Sequence, residues 1–560
     1  MSNFLLKFLL LFNPLYRRMG VNPVQLRTLL HTKLLIDKRR PRAISNRKKE
    51  GTSAPISPIW QSILYVFMGG LYALTLTVFK MPLSGHFVYF TMLMVTLVLL
   101  LISDFTTVLI DVRDNYIVLP RPVNDQTVSL ARILHIVIYI LNIVLALGLA
   151  GLVYTFVADG PIAGCMFVLE IFCATILSVL FVNLIYLVVL KLTTPRQFKD
   201  FIAYFQVIFS VLIFACYYLL PRLIDMSLLA KADLSNYRVI WFLPATWIAA
   251  LHEILVNPLF KSSFLWPAAV LAVVSPLLSL WLIVKVFAPG FNQKLSGISS
   301  SEAHRPEQAP NSTFSARLAA IFTSGKTENA AFRMAWTLSS RLREFKVQTY
   351  PSFAYVIVYF VYFFLTVGNK GLSLREKFEH LGESKSYIIL IYLTGFVLTN
   401  VCLNMVRSEK YKSAWVYFVA PVAFPGQIIS GTYKAVVLKF FSSFFLFISI
   451  VSMYVWGPLV INDLLFGYFN VLIFNLIANL FTSNQLPFSF PTAAAKSSKR
   501  WFVSLIMLFL QFAIGGLHYF LCRWEMVIWG LALLSAFAFF FMIRRYGRQQ
   551  WSEISVYEGD

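Results

Sequence analysis

The chain has 560 residues, of which 58% are hydrophobic, 16% aromatic and only 13% charged, and 48 Lys and Arg against 25 Asp and Glu leave a formal net charge of +23. A soluble domain carries about 25% charged residues, and an apolar run of about 18 residues is long enough to cross a bilayer. Composition therefore argues against a soluble enzyme, a secreted disulfide scaffold and a nucleic-acid binder, and for an all-α polytopic membrane protein.

Residues 1–60 hold 12 Lys or Arg against two acids, which makes them a cytoplasmic or interfacial region rather than a span. The apolar run from Phe4 to Phe12 is short, is interrupted by Lys7 and leads to no small-residue cleavage site, so it reads as an interfacial anchor and not a signal peptide. An amphipathic helix follows. Asn22 is its cap, Pro23 its first residue and Gln25 the side chain reaching back, with Leu26, Leu29, Leu30 and Leu34 on one face. The cluster Lys38, Arg39, Arg40, Arg42, Arg47, Lys48 and Lys49 then faces anionic lipid headgroups, at about 1 kcal/mol per charge.

Hydropathy places six spans at roughly 61–80, 87–110, 133–157, 162–190, 201–219 and 263–286, and six more at roughly 351–368, 386–405, 433–456, 464–482, 501–522 and 526–543. The expected organisation is a first six-span half over 61–287, a cytoplasmic linker over 288–350, a second half over 351–543 and a cytoplasmic tail over 544–560. Lys and Arg gather in the loops on the N-terminal side of this arrangement, which sets both termini in the cytoplasm and absorbs the basic excess as a topology signal.

Two stretches suggest an internal repeat. Asp111 to Ile133 lies between spans two and three, and Arg407 to Val436 between spans eight and nine; each runs from charged residues through an aromatic-aliphatic stretch to a Pro-Val pair, Pro122-Val123 and Pro421-Val422. Deeper in the halves, VLFVNLI (179–185) matches VLIFNLI (471–477) at five of seven positions and sets Asn183 opposite Asn475. Six spans return a chain to its starting side, so such repeats run parallel, about an axis along the membrane normal.

These short cytoplasmic segments, the basic amphipathic N-terminal region and WFLPATW (241–247) before span six resemble the coupling segments, connecting helix and outer Leu-Pro-aromatic element of ABC-2-type transporter permeases, here with two six-span units fused. The resemblance covers most of the chain through architecture, with short motifs. It implies a permease subunit of an ATP-driven exporter in a bacterial cytoplasmic membrane, partnered by two copies of a separate cytoplasmic ABC ATPase and by membrane lipids, with no nucleic acid. It further implies that ATP and Mg are bound by the partner, no cofactor being held directly. The docking candidates are Asp111, Arg113, Asp114, Arg121 and Pro122 in the first half, and Arg407, Glu409, Lys410, Lys412 and Pro421 in the second. An ion-gradient-driven secondary transporter is the alternative, and a membrane enzyme acting on lipid-linked substrates a weaker one.

Catalytic chemistry is hard to assemble from the sequence. Ala320 to Thr327 fits a loosened P-loop pattern but lacks a preceding strand, so no nucleotide site is expected there. The histidines His31, His86, His135, His252, His304, His380 and His518 show no ligand spacing, His252-Glu253 being a bare neighbour pair, and the five cysteines show no CxxC. No catalytic residue and no metal site are expected. Glu170, about 12 Å into span four, is costly in lipid and must face protein or water, which makes it a translocation-path candidate together with Asn183 and Asn475. Asn142, Asn479 and Gln511 read as interhelical hydrogen-bonders.

Overall fold

The structure, a computed structural model, describes residues 9–18, 20–39, 58–108, 122–192, 195–223, 236–256, 264–282, 313–366, 374–482, 485–491 and 498–555, with Leu6, Lys231 and Asp233 besides. It is all-helical: among the described residues the only β pairing is a single bridge between Arg407 and Phe490. Among the described residues, ten helices are long and apolar enough to span a membrane, as expected of a multi-pass membrane protein. Two shorter apolar helices, Ser62–Val78 and Phe509–Leu521, fall where the first and eleventh spans are expected. All five cysteines are free.

The chain forms two compact units. The first comprises Met1–Arg42, Ala54–Ile202 and Ile224–Pro306. Its helices are α1 (Pro23–Arg39), α2 (Pro58–Val78), α3 (Pro82–Val108), α4 (Asp125–Ala158), α5 (Pro161–Leu192), the start of α6 (Pro195–Leu223), α7 (Pro244–Val256) and α8 (Leu265–Leu282). Six of these begin with proline at the first helical position, where its missing N–H costs nothing and its fixed φ suits the helix. Tyr89, Phe90, Leu93 and Leu97 of α3 pack with Leu147 of α4, Phe167 of α5 and Ile248 of α7 to make the core. Gly69 lets α2 and α4 touch backbone to backbone, since a Cβ there would collide with the Leu147 carbonyl.

Helix α1 bears out its predicted face: Leu26, Leu30 and Leu34 are buried against Ala131, Leu134 and Ile138 of α4, with Leu29 partly buried beside them. Asn22 caps it, its Oδ1 accepting from Val24 N at 3.0 Å and Gln25 N at 3.3 Å. The reciprocal half of the capping box is corrected. Gln25 Nε2 donates outward to the Pro122 carbonyl (3.3 Å), and Asn22 N donates to Thr127 Oγ1 of α4 (3.1 Å). Asn124, the cap of α4, completes the latch by donating to Gly20 O at 2.8 Å. The Asn22 N–H and the Gln25 side chain, which a capping box would pair with each other, instead fasten α1 to α4 and to the residues just before it.

Helix α7, with 13 residues, rises about 20 Å and is too short to cross a hydrocarbon core of about 30 Å. The WFLPATW element forms its entry: Trp247 Nε1 donates to Trp241 O (2.8 Å) and Thr246 Oγ1 to Ile240 O (2.6 Å), bending the chain back onto the helix that Pro244 starts. Ala245, Ile248, Ala249, His252 and Glu253 are buried.

The second unit comprises Ala43–Ser53, Ala203–Leu223 and Glu307–Asp560. It contains the later part of α6, then α9 (Thr313–Phe322), α10 (Lys326–Arg341), α11 (Arg343–Thr366), α12 (Leu374–Glu383) and α13 (Tyr387–Met405). After α14 (Val416–Val419) come α15 (Gly426–Trp456, with a π turn at Val437–Ser442), α16 (Ile461–Thr482), α17 (Ser498–Leu521) and α18 (Glu525–Tyr546). Two features differ from the expected six-and-six division. Residues Ala203–Leu223 of α6 join this unit through an aromatic and hydroxyl ladder on α11: Ser210 Oγ lies 2.6 Å from Tyr355 OH, Tyr359 OH donates to Tyr218 OH at 3.1 Å, and Arg222 donates to Tyr362 OH at 3.2 Å. And residues from Thr313 on, expected within the linker, are helical, with Ala331, Phe332 and Ala335 of α10 in the main core.

Helix α10 lies against the first half of α15 at a close approach that Gly431 permits, a Cβ there colliding with the Glu328 carbonyl. Lys434 pairs with Glu328 at 2.7 Å, at one end of α10. Near the other end Lys439 Nζ donates to Trp336 O and Ser339 Oγ, each at 2.7 Å, a cation close to the negative end of the helix dipole.

Candidate functional site

Of the predicted docking residues in the first half, Asp111, Arg113, Asp114 and Arg121 lie outside the described residues; Pro122 is exposed and holds Gln25 through its carbonyl. The second segment is described throughout. It runs from Arg407 to Pro425 through a single 3-10 turn at Tyr411–Trp415 and α14, joining α13 to α15.

Its mounting is rigid. Ser408 N donates to Phe490 O (2.8 Å), Phe490 N to Val406 O (3.1 Å) and Phe488 N to Met405 O (2.8 Å), so residues 485–491 run beside its start. Phe488 sits in the left-handed region at φ 54, a strain that persists because its N–H is bonded and its side chain is buried. Glu409 N donates to Glu344 Oε2 (2.9 Å), the buried Tyr417 donates to Pro487 O (3.1 Å), and Trp551 Nε1 from the C-terminal turn donates to Val422 O (3.0 Å). Arg407 is half-buried in this join, whereas Glu409, Lys410, Lys412 and Pro421 are exposed. The outer face is apolar: Trp415 is 63% exposed and Val419 71%, with Val416, Phe418 and Phe424 also exposed.

Glu170 is wholly buried in α5, and His252 Nδ1 of α7 donates to it at 3.1 Å from each carboxylate oxygen. His252 is thus not a bare neighbour of Glu253 but the partner of a residue 82 positions away. Asn183 and Asn475 do different work. Asn183 is half-buried and bonds its own helix at Val179 O (2.8 Å), while Asn475 is buried and joins α16 to α13 by donating to Thr399 Oγ1 (3.0 Å) and accepting from Cys402 and Asn479. The structure does not bring Glu170 and Asn183 into contact.

Sequence reasoning missed a buried polar relay in the second unit. Asp463, near the start of α16, accepts from Tyr387 OH (2.7 Å) and lies 3.0 Å from His518 Nε2 of α17. His518 Nδ1 in turn lies 3.2 Å from Tyr392 OH, which also accepts from Asn470 Nδ2 at 3.3 Å. Gln511 donates to Tyr392 O (2.9 Å), in the interhelical role expected of it, whereas Asn142 bonds its own helix at Ile138 O (2.8 Å). Two acids inside apolar helices, Glu170 and Asp463, were the signal; their histidines come from helices far along the chain.

The P-loop-like stretch is a helix–turn–helix joint between α9 and α10. Ser324 N donates to Glu328 Oε2 (2.8 Å), and Ser430 and Lys434 hold Oε1, so a carboxylate of the protein closes the turn. Burial alone would raise the Glu328 carboxyl, but the hydrogen bonds from Lys434, Ser324 N–H and Ser430 outweigh it and hold it below its ordinary value. Comparisons of this chain with protein-family models, with the curated proteins and with the solved structures found no match.

Proposed function

We propose that this chain is the membrane-spanning permease of an ATP-driven exporter, built as two six-helix repeats, and that the Arg407–Pro425 segment receives a separate cytoplasmic ATPase. The observation that carries the reading is the construction of that segment. A part that passes force to two helices must be stiff and continuous with both, and here a short helical ledge between α13 and α15 is tied down by hydrogen bonds at Ser408, Glu409, Tyr417 and Val422 while presenting Trp415, Val419 and the charges of Glu409, Lys410 and Lys412 outward. An aromatic anchor ringed by charge is how protein partners are bound.

Repeated packing supports the doubled architecture. In each unit an amphipathic helix before the first span packs on the third: α1 on α4, and α10 on α15. The pairs α3 with α5 and α8 with α5 recur as α13 with α16 and α18 with α16. Glu170 and Asp463 both stand roughly three to four turns before the aligned asparagines, and both meet a histidine.

The test is co-purification of the tagged full chain with a subunit of about 25–35 kDa, the size of one or two domains, that hydrolyses ATP. Trp415→Glu with Val419→Glu abolishes that association in a protein that still inserts and purifies. A second reading, transport driven by an ion gradient, is favoured by the buried Asp463–His518 and Glu170–His252 pairs. Transport into vesicles that needs a proton or sodium gradient and no ATPase establishes it in place of the first.

A further inference from the structure

Three helix ends of the first unit bring together a set of atoms that the permease reading does not use. His86 lies in the second turn of α3, Asp159 caps the C-terminus of α4, and His252 lies on α7. His86 and His252 are 4% and 0% exposed and their rings stack with centroids 3.9 Å apart. His86 Nδ1 lies 3.0 Å from the Pro82 carbonyl, and His252 Nδ1 lies 3.1 Å from Glu170. Those acceptors place the ring protons on Nδ1, so both Nε2 atoms present lone pairs.

The two Nε2 atoms and Asp159 Oδ2 are buried, have no hydrogen-bond partner and converge: His252 Nε2 lies 3.7 Å from Asp159 Oδ2, and one ligand atom from each of the three residues lies within 4.8 Å of the others. Three acceptors facing one another repel unless a proton on a ring nitrogen or a metal ion sits among them. The local charge has the same sense, since Glu170 and Glu253 are buried beside His252.

We infer that His86, His252 and Asp159 form a binding site for a divalent transition-metal ion, of which Zn2+ is the natural occupant. Two imidazoles and one carboxylate are a ligand set for zinc, and an Nδ1–H held by a carboxylate or a backbone carbonyl is how metal-binding histidines are oriented. Zinc at about 2.0–2.2 Å from each ligand requires the three atoms to close up by about an ångström. Asp159 supplies part of the movement, being 23% exposed and followed by Gly160 at φ 93, and the two stacked rings open from their 3.9 Å centroid separation to aim both Nε2 lone pairs at the ion. The ion ties α3, the α4–α5 joint and the half-length α7 together at one end of the unit.

The experiment uses the full chain in detergent, purified on a tag without histidine, stripped with a chelator and reloaded with Zn2+ alone; bound metal is counted by mass spectrometry after desalting. About one Zn2+ per chain is expected, with Zn2+ raising the melting temperature. His86→Gln with His252→Gln reduces bound metal to background. Asp159→Asn, at a part-exposed turn, keeps the wild-type elution profile and weakens Zn2+ at least tenfold, within the range by which ligand-shell changes act. Co2+ in the same site gives the visible absorption of a low-symmetry, nitrogen- and oxygen-ligated ion, which Asp159→Asn alters. Wild-type protein that binds no Zn2+, or a folded Asp159→Asn that binds it as wild type does, overturns the site.

Discussion

Lys434 of α15 reaches Glu328 in the first turn of α10, Nζ to Oε1 at 2.7 Å, and the same carboxylate accepts from Ser430 Oγ and Ser324 N. Because the Glu328 carboxyl is held below its ordinary value near 4.5, its contribution to stability is complete above that value and is lost as pH falls through the lowered one. Glu328→Gln should destabilise the chain by about 1–3 kcal/mol at neutral pH. Thermal melts against pH should show the gap between the two proteins flat above about pH 5 and closing below about pH 4, the side on which the unfolded carboxyl is already protonated. A gap unchanged down to pH 3 would show that the charge of Glu328 plays no part.

The Asp463–His518 pair should behave as one object. Asp463→Ala and His518→Ala each leave a buried polar partner without its bond and should each cost about 3–5 kcal/mol. The double variant should cost clearly less than the two together, a coupling of roughly 0.5–3 kcal/mol in a double-mutant cycle. Strict additivity in denaturation measurements would mean that the two act separately.

Gly431→Ala should cost about 1–3 kcal/mol, because its Cβ meets the Glu328 backbone and not a movable side chain. Gly516→Ala, which meets nothing within 4 Å and stands in the helical α17, should be neutral or slightly stabilising. Comparing the two by thermal melt separates close approach from simple helix propensity.

Lys410→Glu with Lys412→Glu alters two exposed side chains and should shift stability by no more than about 0.5 kcal/mol. Under the permease reading it should uncouple ATP hydrolysis from transport in reconstituted vesicles. Arg407→Glu is the poorer probe: Arg407 bridges Phe490 and is half-buried, so a charge reversal there disturbs the mounting as well as any docking. Coupling unaffected by the double lysine change would remove these residues from the docking face.

Signals confined to one stretch of chain were legible in the sequence. The leucine face of α1 and its Asn22 cap are read directly from spacing, as is the need of Glu170 for a partner. What the sequence hid are partners chosen by tertiary packing. Gln25 turns from its own helix to Pro122, and Glu170 finds a histidine on a helix too short to register as a span. Helix α10 was hidden differently: its buried Ala331, Phe332, Ala335 and Ser339 are small or isolated among charges, so its apolar face is narrow and the stretch reads as a linker. Metal-ligand spacing could not reveal His86, Asp159 and His252, because the ligands stand on three helices and share no local pattern.

The single widened turn at Val437–Ser442 resets the angular phase of α15. One extra residue in a turn rotates everything beyond it by about 100° around the axis, so the stretch carrying Lys434 can address α10 while the stretch after Ser443 addresses α13. Removing one residue there would straighten the rod and swing Phe444, Phe445 and Ile448 away from the neighbours that now bury them. A rod with such an offset shows two faces to its surroundings, one set for α10 before the turn and one set for α13 beyond it.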